Sequence, residues 1–434
     1  MAEKAGIPSV VIVSPQFVDL VYAAVHGQRI TSLATSFLSF DVMKGIVRDV
    51  HSACETAAEE IVFGLTKWKP PDVKKDRESS LSFEGEDFQD AADQMENFFL
   101  TNKLSDGLPL IPPTRKRVDW MLTGTDYPHN KIITDKFGPL YRSITVQDIA
   151  VNAVMAGARP EYMPIIMAAL DILATDEGLK LIHPVIGSVG QFAPVLIVSG
   201  PIARQLNINS SFGLLGPGWQ ANATIGRTIS LLIINGMGSL SGSVSSQSLP
   251  GRYTWCFSEN ERESPWQTMN VESGFDSSIS TVTVMSGRGT QTVMVDPPAE
   301  KILYSIARAI QGVTVRRYSM PWDQLLILNP AHAEILANAG MSKQEVGNFV
   351  FKKALISLSD AQAAGISAMT EQKSSPEKST MAPMMEKPEN LVIVVAGGGA
   401  SQHSTLVPCI NKKVTGEIDK YKPAHWQDLI IREK

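Results

Sequence analysis

Short runs of β-branched and aliphatic residues alternate with helical patterns along most of this chain, and this alternation constrains the fold more than any other feature. Segments with a helical spacing of apolar residues, such as "VQDIAVNAVMAGA" and "PAEKILYSIARAIQG", separate the strand-like runs. This order predicts an α/β fold with mixed or parallel sheets flanked by helices. The strand-like runs are "IPSVVIV" (7–13), "VLIVSG" (195–200), "TVTVMSG" (281–287), "LLILNP" (325–330) and "LVIVVAGGG" (391–399).

The chain has 434 residues, enough for two or three domains of ordinary size. We predict a small, incomplete α/β unit at 1–67, a linker with a short helix at 68–104, and a main α/β domain at 105–434. A segment with few bulky aliphatic residues other than methionine predicts a mobile surface insertion at 368–389. One or two strands and two helices cannot close a core. We therefore expect the first unit to dock on the rest of the chain or on another chain.

Composition and charge exclude several classes of function. Hydrophobic residues make up 44% of the chain and charged residues 19%, and the formal net charge is -5. An acidic balance without a long basic run argues against nucleic acid as a partner. No run of about 18 apolar residues lacks polar interruptions, so we expect no membrane span. With no secretory signal pattern, we predict a cytoplasmic protein that acts on a small molecule, and we expect an oligomer.

The cysteines and histidines suggest neither a disulfide framework nor a metal site. The three cysteines, Cys54, Cys256 and Cys409, form no Cys-x-x-Cys pair, which argues against a secreted disulfide scaffold and excludes an all-cysteine zinc site. The seven histidines are scattered without an H-x-x-x-H pair. We therefore predict no metal site, and the cofactor stays unknown.

A glycine-rich turn follows the last strand-like run. Gly397, Gly398 and Gly399 precede Ser401 and His403, and flexible turns at strand ends are where ligands bind in open α/β sheets. We favour a tight turn that lets a small ligand approach the backbone beside Ser401 and His403. A structural turn with solvated polar residues is the plain alternative. A nucleotide-binding phosphate loop is a weaker one, because the glycine spacing fits neither common motif and no lysine follows.

A second group of residues suggests an anion site. Asn222 and Thr224 can cap the helix that follows "LLGPGWQ", and Arg227 falls in or near its first turn, where free backbone N–H groups attract anions. Arg227 can add a bidentate contact with a carboxylate. Arg159 lies in the joint between two helical segments, beside Glu161. We predict that Arg159, Asn222 and Arg227 bind substrate; the alternative for Arg227 is an ion pair with an acidic side chain.

Four residues are candidates for catalysis. Glu259 and Glu261 share a face if their segment is extended, and either can act as a general base. Cys256 is a possible nucleophile, although a lone cysteine between Trp255 and Phe257 is more often buried and inert. His183 can be an acid or base, although a histidine before proline is more often structural.

Two stretches of the chain resemble known families. "EKAGIPSVVIVSPQF" is similar to a segment of the selenoproteins named for a selenocysteine-Gly-Ser-Cys motif (UGSC), and more distantly to the selenocysteine-bearing components of glycine and D-proline reductases. In those families the segment follows the redox motif, and this chain holds no such motif. The larger part resembles an uncharacterised family associated with those selenoproteins. The motifs that carry this likeness are "DGLPLIPPT", "VMAGARPEYMP", "LLGPGWQANATIGR", "CFSENERESPW" and "AGGGASQHS".

The resemblance implies a thiol- or selenol-linked redox or C–heteroatom-cleaving setting. Without the motif, the chain would depend on a separate redox partner, act through Cys256, or lack redox activity. Our main hypothesis is an enzyme or enzyme subunit, oxidoreductase- or lyase-like, that acts on a small anionic or carbonyl compound. The alternatives are a non-catalytic subunit that docks a redox partner chain and, more weakly, a nucleotide-binding protein.

Overall fold

The computed structural model describes most of the chain. The described residues are 9–13, 18, 21, 34–37, 50–67, 81–138, 142–187, 190, 192–238, 255–312, 317–318, 321–368, 380–399 and 402–431.

Strands and helices alternate in the order that the sequence predicts. The strands are β1 (Val10–Val13), β2 (Ala34–Phe37), β3 (Ile132–Phe137), β4 (Arg142–Thr145), β5 (Ala193–Ser199), β6 (Cys256–Ser258), β7 (Thr281–Gly287), β8 (Gln291–Met294), β9 (Arg317–Tyr318), β10 (Gln324–Leu328), β11 (Leu355–Ser357), β12 (Ser367–Ala368), β13 (Met381–Pro383), β14 (Leu391–Val395) and β15 (His403–Glu417). The helices are α1 (Val50–Thr66), α2 (Phe88–Thr101), α3 (Arg115–Leu122), α4 (Val146–Ala156), α5 (Met163–Leu173), α6 (Asp176–Gly187), α7 (Pro201–Gln205), α8 (Gln220–Met237), α9 (Met269–Glu272), α10 (Ala299–Gln311), α11 (Pro330–Asn338), α12 (Lys343–Lys353), α13 (Leu358–Ala363) and α14 (Trp426–Ile431).

A mixed sheet of seven strands forms the centre of the protein, which confirms the α/β fold class. Its order is β14-β10-β15-β7-β5-β6, and β8 also pairs with β15. The pairs β5–β6 and β10–β14 are parallel, whereas the other neighbours are antiparallel. Every residue of β5, β7 and β14 is buried, as expected for strands covered on both faces.

The sheet is strongly curled, so that its two edge strands approach each other. Twist accumulates from strand to strand in such sheets, and here the Asn260 N–H donates to the Val395 carbonyl at 2.8 Å, joining the ends of β6 and β14. One face of the sheet therefore encloses an inner layer. That layer is apolar and consists mainly of Val195, Ile197, Trp255, Phe257, Met269, Met285, Leu325, Ile327, Val392, Val394, Val407 and Cys409.

Two helical layers cover the outer face. The helices α4, α5, α6 and α8 pack over the half formed by β5, β6 and β7. The helices α10, α11 and α12 pack over the half formed by β10, β14 and the start of β15. The spacing of Ser342 and Glu345 at the start of α12 predicts a capping box, and it is present, since each side chain bonds the other residue's backbone N–H group. No helix in the described part of the chain combines the length and apolarity needed to cross a membrane.

The first unit pairs β1 with β2 in parallel and packs α1 against them. The sequence pattern of this unit predicts helices over 14–27 and from about 41. The second is described from Val50, and most of the first lies outside the described residues. The region predicted as an insertion is only partly described, because 369–379 lie outside. Its end is packed rather than mobile: β13 pairs with β11, and Met384 and Met385 are buried in the core.

Candidate functional site

The carboxyl ends of β5 and β6 lie side by side, because the two strands are parallel neighbours. Glu259 and Glu261 follow β6, and the Glu259 N–H donates to the Val198 carbonyl at 3.1 Å. Ser258 is held from the other side, since its N–H donates to the Asn209 carbonyl at 3.1 Å. The segment that the sequence marked as polar therefore starts at a strand end of the central sheet.

Toward the Ser199 end of β5, the inner face of the sheet changes from apolar to polar. Thr283 lies opposite Ile197 and Thr281 opposite Ser199 in the register. The hydroxyls of Thr283 and Thr415 are 2.8 Å apart. The Thr281 hydroxyl is buried and has no hydrogen-bond partner among the described residues. We call this region, with Glu259, the polar end of the inner layer.

Glu259 is the most perturbed carboxylate of the polar end. Its Oε2 accepts hydrogen bonds from the Met269 N–H at 2.7 Å and the Ser199 hydroxyl at 3.1 Å. Its Oε1 is buried without a hydrogen bond in the described structure, and the Lys343 Nζ lies 3.7 Å away. Burial raises the pKa of the Glu259 carboxyl above its ordinary value, and the Lys343 ammonium and the two hydrogen bonds oppose that rise.

Two lysines bring positive charge to the polar end. Lys343, at the start of α12, bridges Glu259 and the partly exposed Glu272, whose Oε1 is 2.9 Å from its Nζ. Lys413 lies at an irregularity of β15 where the register with β7 shifts. Burial lowers the pKa of the Lys413 ammonium, and the negative charges of Glu272 and Asp323 oppose the shift. The polar end therefore combines a carboxylate and two ammonium groups in a largely dry environment, as in acid–base sites.

Glu261 lies beside Glu259 but has a different environment. Its Oε1 accepts a hydrogen bond from the Gly200 N–H at 2.5 Å, so this carboxylate is bonded to the residue after β5. Gly200 has φ +95°, which favours glycine, and a Cβ there would lie 2.7 Å from the Ile279 carbonyl oxygen. The two glutamates thus bind consecutive residues, Ser199 and Gly200, and of the two only Glu259 has a buried oxygen without a hydrogen bond in the described structure.

A small groove of about 200 Å³ borders the same loop, and we call it the arginine groove. Two positively charged side chains that sequence reasoning missed, Arg204 of α7 and Arg262, line it. No local motif marks these arginines, because only the fold brings α7 beside the loop after β6. The other lining residues are Ala203, Asn207, Ile208, Ser210, Ser258, Glu259, Asn260 and Glu261.

The glycine turn is close to this loop but is occupied by the protein itself. The Gly397 N–H donates to the Ser210 carbonyl at 2.8 Å, and the Asn329 side-chain amide donates to the Gly398 carbonyl. Phe212 packs against Gly398 so closely that a Cβ there would lie 2.2 Å from the ring. His403 is exposed at the start of β15, and Ser401 lies outside the described residues.

Nothing in the geometry of the glycine turn favours a nucleotide. A phosphate loop presents the N–H groups of a helix N-terminus, whereas the next element after this turn is the strand β15. The N–H of Gly397 is already bonded to the Ser210 carbonyl. The weaker hypothesis of a nucleotide-binding protein therefore has no phosphate-loop geometry at this turn to support it.

A buried histidine network near the turn was also missed by sequence reasoning. His332 Nε2 is 3.0 Å from the Val295 carbonyl oxygen, which requires the proton on Nε2. Its Nδ1 then accepts from the Ser404 hydroxyl at 2.8 Å, and the Ser404 oxygen accepts from the Asn329 N–H at 3.0 Å. Burial lowers the pKa of His332 below its ordinary value. All polar groups of this network are satisfied, so it is a structural support.

The residues predicted to bind an anion are bonded within the protein. Arg227 forms a bidentate ion pair with Asp106 at 2.8 and 2.9 Å, which is the alternative that the sequence left open. Asn222 accepts from the Asn209 N–H at 2.9 Å and donates to its carbonyl. Arg159 is bonded to Glu161. These contacts correct the predicted substrate-binding roles.

Two smaller corrections concern the same helices. The helix α8 begins at Gln220, so Asn222 and Thr224 lie inside it and do not cap it. His183 lies within α6 and is exposed, rather than in a loop before a strand, and no described contact ties it to the polar end.

Cys256 has none of the properties of a catalytic nucleophile. It lies in β6 with no exposed surface, packed in the core beneath the outer helices. Burial raises the pKa of its thiol to about 12, so the reactive thiolate is scarce at neutral pH. Cys409, on β15, is buried in the same way and has a similarly raised pKa. The nucleophile prediction is corrected for this physical reason.

A larger cavity lies elsewhere, between α2, α3 and α4, and has a volume of about 830 Å³. Its lining is mainly apolar and includes Phe83, Phe88, Met95 and Phe99. Arg115 and Asp119, on its rim, form a long surface pair at 4.0 Å. This cavity borders the segment "DGLPLIPPT" through Pro112 and Pro113.

Comparisons with protein-family models, with curated proteins and with solved structures found no match for this chain. Within the described ranges, no cluster of three or more His, Cys, Asp or Glu side chains is placed to hold a metal ion. What the chain does is therefore inferred from its own residues.

Proposed function

We propose that this chain is an enzyme, or the substrate-handling subunit of one, that moves a proton on a small anionic or carbonyl compound. Glu259 is the acid–base group, and Lys343 stabilises its charged form. The resemblance of the sequence to selenoprotein-linked families supports a redox or C–heteroatom-cleaving setting for this step. Oxidoreductase or lyase chemistry beyond the proton transfer depends on a partner that supplies the redox group.

One observation carries this proposal: the Glu259 carboxylate is buried, yet its Oε1 has no hydrogen bond in the described structure. A buried charged oxygen without a donor costs free energy that a structural residue has no reason to retain. A raised pKa together with a specific ammonium partner is typical of functional carboxylates. A ligand hydrogen at Oε1 would satisfy this position.

Deuterium exchange tests the proposal directly. We incubate the protein in D₂O with a panel of small carboxylates and carbonyl compounds and follow deuterium incorporation next to the carbonyl by NMR. The carboxylate takes the C–H proton to leave an enolate, which then takes a deuteron from the exchanged carboxyl. We expect incorporation by the wild type and a loss of about 10²-fold or more in Glu259→Gln.

The matched control is Glu263→Gln. The Glu263 carboxylate is exposed, lies in the same loop as Glu259 and accepts a hydrogen bond from the Asn260 side-chain amide. This variant should exchange as fast as the wild type. Equal exchange in Glu259→Gln and the wild type would remove Glu259 from the chemistry. Absence of exchange with every compound shown to bind would remove the proposed function.

A second candidate is a subunit that docks a redox partner. In the first unit, Ile12 is 54% exposed, Val62 60% and Phe63 53%. Among the described residues β1 pairs only with β2, so one strand edge and an apolar surface are available there. The occupant we propose is a chain carrying the Cys-Gly-Ser-Cys-type motif, because the segment around β1 resembles the one that follows this motif.

Sedimentation with a purified motif-bearing family member tests this docking. We expect Phe63→Glu to weaken the complex at least tenfold, because it places a charge in an apolar contact. Leu358→Glu, which changes an exposed leucine on α13, should leave the complex unchanged. Equal weakening by both variants, or no complex with the wild type, would exclude this candidate.

A further inference from the structure

We propose that the arginine groove binds a small oxyanion between the guanidinium groups of Arg204 and Arg262. This inference rests on the proposed function, because it names the charged end of the substrate that Glu259 would act on. It also replaces the arginines expected from the sequence, Arg159 and Arg227, by two others.

The structure gives the two arginines of the groove no ion-pair partner among the described residues. The carboxylates in its wall are both bonded to backbone N–H groups, Glu259 to Met269 and Glu261 to Gly200. The guanidinium groups of Arg204 and Arg262 form no hydrogen bond or ion pair with any residue that the structure describes. Two guanidinium groups at one concave surface, with the nearby carboxylates engaged elsewhere, favour an anionic ligand.

The two arginines come from separate segments. Arg204 is in the last turn of α7, which starts directly after β5, and Arg262 is in the loop after β6. Since β5 and β6 are parallel neighbours, their carboxyl ends bring both segments to one side of the sheet. An arginine presents a planar fork of donors, so two of them can hold a carboxylate or a tetrahedral oxyanion through several charged hydrogen bonds.

The size of the groove limits the ligand. Its volume of about 200 Å³ is below the range of about 300–1,000 Å³ for sites that hold drug-sized molecules. If each non-hydrogen atom takes about the 30 Å³ of a liquid water, it holds about six or seven of them. Oxalate, malonate, phosphate and sulfate are of this size, whereas a nucleotide is not.

The groove and the acid–base group share one loop. Glu259 lines the groove and also anchors to Ser199 and Met269 at the polar end. The two sites are therefore joined by the backbone between Ser258 and Arg262. A ligand whose oxyanion lies at the arginines would extend its remaining atoms toward this loop.

Calorimetric titration of the full chain with oxalate, malonate, phosphate and sulfate tests the inference. We expect Arg204→Gln and Arg262→Gln each to weaken binding at least about tenfold, as for loss of a charged hydrogen bond. The double variant should abolish it, and rising NaCl should weaken wild-type binding. Tighter binding of the carboxylates would assign a carboxylate ligand, and tighter binding of phosphate or sulfate a tetrahedral oxyanion.

Two further variants keep the result interpretable. Arg115→Gln changes an arginine whose side chain is 97% exposed and should leave affinity unchanged. Arg204→Lys keeps the charge and should recover part of the affinity lost in Arg204→Gln, with the same thermal unfolding temperature. Equal affinity in the wild type and both Gln variants, or no binding of any of the four anions, would overturn the inference.

Failure of this inference can be told apart from failure of the proposed function. Glu259→Gln should still bind the anion, because its side chain is not a proposed anion donor. Anion binding that depends on the arginines, without deuterium exchange in the wild type, would retain the groove and reject the acid–base role. Exchange that is unaffected in the arginine variants would retain the acid–base role and reject the groove.

Discussion

Polar residues follow two pairs of neighbouring strands in the curled sheet, but their hydrogen-bonding states differ. After β10 and β14, the side chains of Asn329, His332 and Ser404 have hydrogen-bond partners within the protein, and the Gly398 carbonyl accepts from Asn329. At the ends of β5 and β6, Glu259 keeps an oxygen without a hydrogen bond. The difference teaches that polar residues after a strand mark a ligand site only where the protein leaves them unsatisfied.

The largest expected effect on stability comes from breaking the hydrogen-bond network of His332, Ser404 and Asn329. His332→Ala removes a buried ring and leaves the Ser404 hydroxyl and the Val295 carbonyl without their partner. We expect the free energy of unfolding to fall by about 3 kcal/mol, measured by urea denaturation. His403→Ala, at an exposed position, should change it by less than about 0.5 kcal/mol.

This network also predicts a pH dependence of stability. Because burial holds the pKa of His332 below its ordinary 6.5, the unfolded chain takes up a proton first as the pH falls. The contribution of His332 is therefore complete above about pH 6.5 and decreases below it. His332→Ala should lack this part of the decrease, and an unchanged pH profile would contradict the assignment.

The three glycines of the turn offer an intermediate test. Gly398→Ala should destabilise by about 2 kcal/mol, because its Cβ would overlap the Phe212 ring at 2.2 Å. Gly397→Ala should cost about 1 kcal/mol, because the φ of +100° is strained for alanine although there is space. Gly399→Ala should be close to neutral, since its nearest contact would be an ordinary 3.5 Å.

A double-mutant cycle with Phe212→Ala separates these causes. The cost of Gly398→Ala should largely disappear in that background, whereas the cost of Gly397→Ala should persist. If all three glycines behave alike, the turn is not packed as described and remains open to a ligand. That result would weaken the contrast between the two strand ends.

The smallest expected effect on stability comes from Glu259, at the ends of β5 and β6. Because burial raises the pKa of Glu259 above its ordinary 4.5, the folded chain holds its proton more tightly than the unfolded chain. The wild type therefore loses stability as the pH rises from about 4.5 through the folded pKa. Glu259→Gln should be more stable than the wild type by about 1 kcal/mol at pH 8, and the difference should vanish toward pH 4.5.

A set of urea denaturation curves between about pH 5 and 8 checks this expectation. Glu263→Gln, with its exposed carboxylate, is again the control. A strong loss of stability in Glu259→Gln at pH 8 would show that Glu259 supports the fold, and the two strand ends would then be alike.

Local patterns predicted the elements well. The strands β5, β7, β10 and β14 coincide with the β-branched runs, because strands buried on both faces need continuous apolar residues. The capping box at Ser342 needed only its own four residues. Glu259 and Glu261 were candidates from their spacing, but the strand β6 before them was not among the predicted runs.

The prediction of the anion site could not include contacts between residues that are distant in sequence. Arg227 appeared available from its own segment, but its partner Asp106 is 121 residues away. Ser404 and His332 are 72 residues apart, and no spacing rule joins them. Arg204 and Arg262 carry no motif, so only the meeting of α7 with the loop after β6 draws attention to them.

The sequence by itself determined the fold class, the main strands and the position of the acidic loop, because strand and helix periodicity, caps and turns are short-range properties. The tertiary structure decided which charged groups are paired and which are left unsatisfied, because burial and partners depend on contacts between distant segments. Cys256 and Glu259 show this difference, since they lie three positions apart and burial raises the pKa of both. The Cys256 thiol is enclosed by the core, whereas Glu259 lies 3.7 Å from the Lys343 ammonium and has a buried oxygen without a hydrogen bond among the described residues.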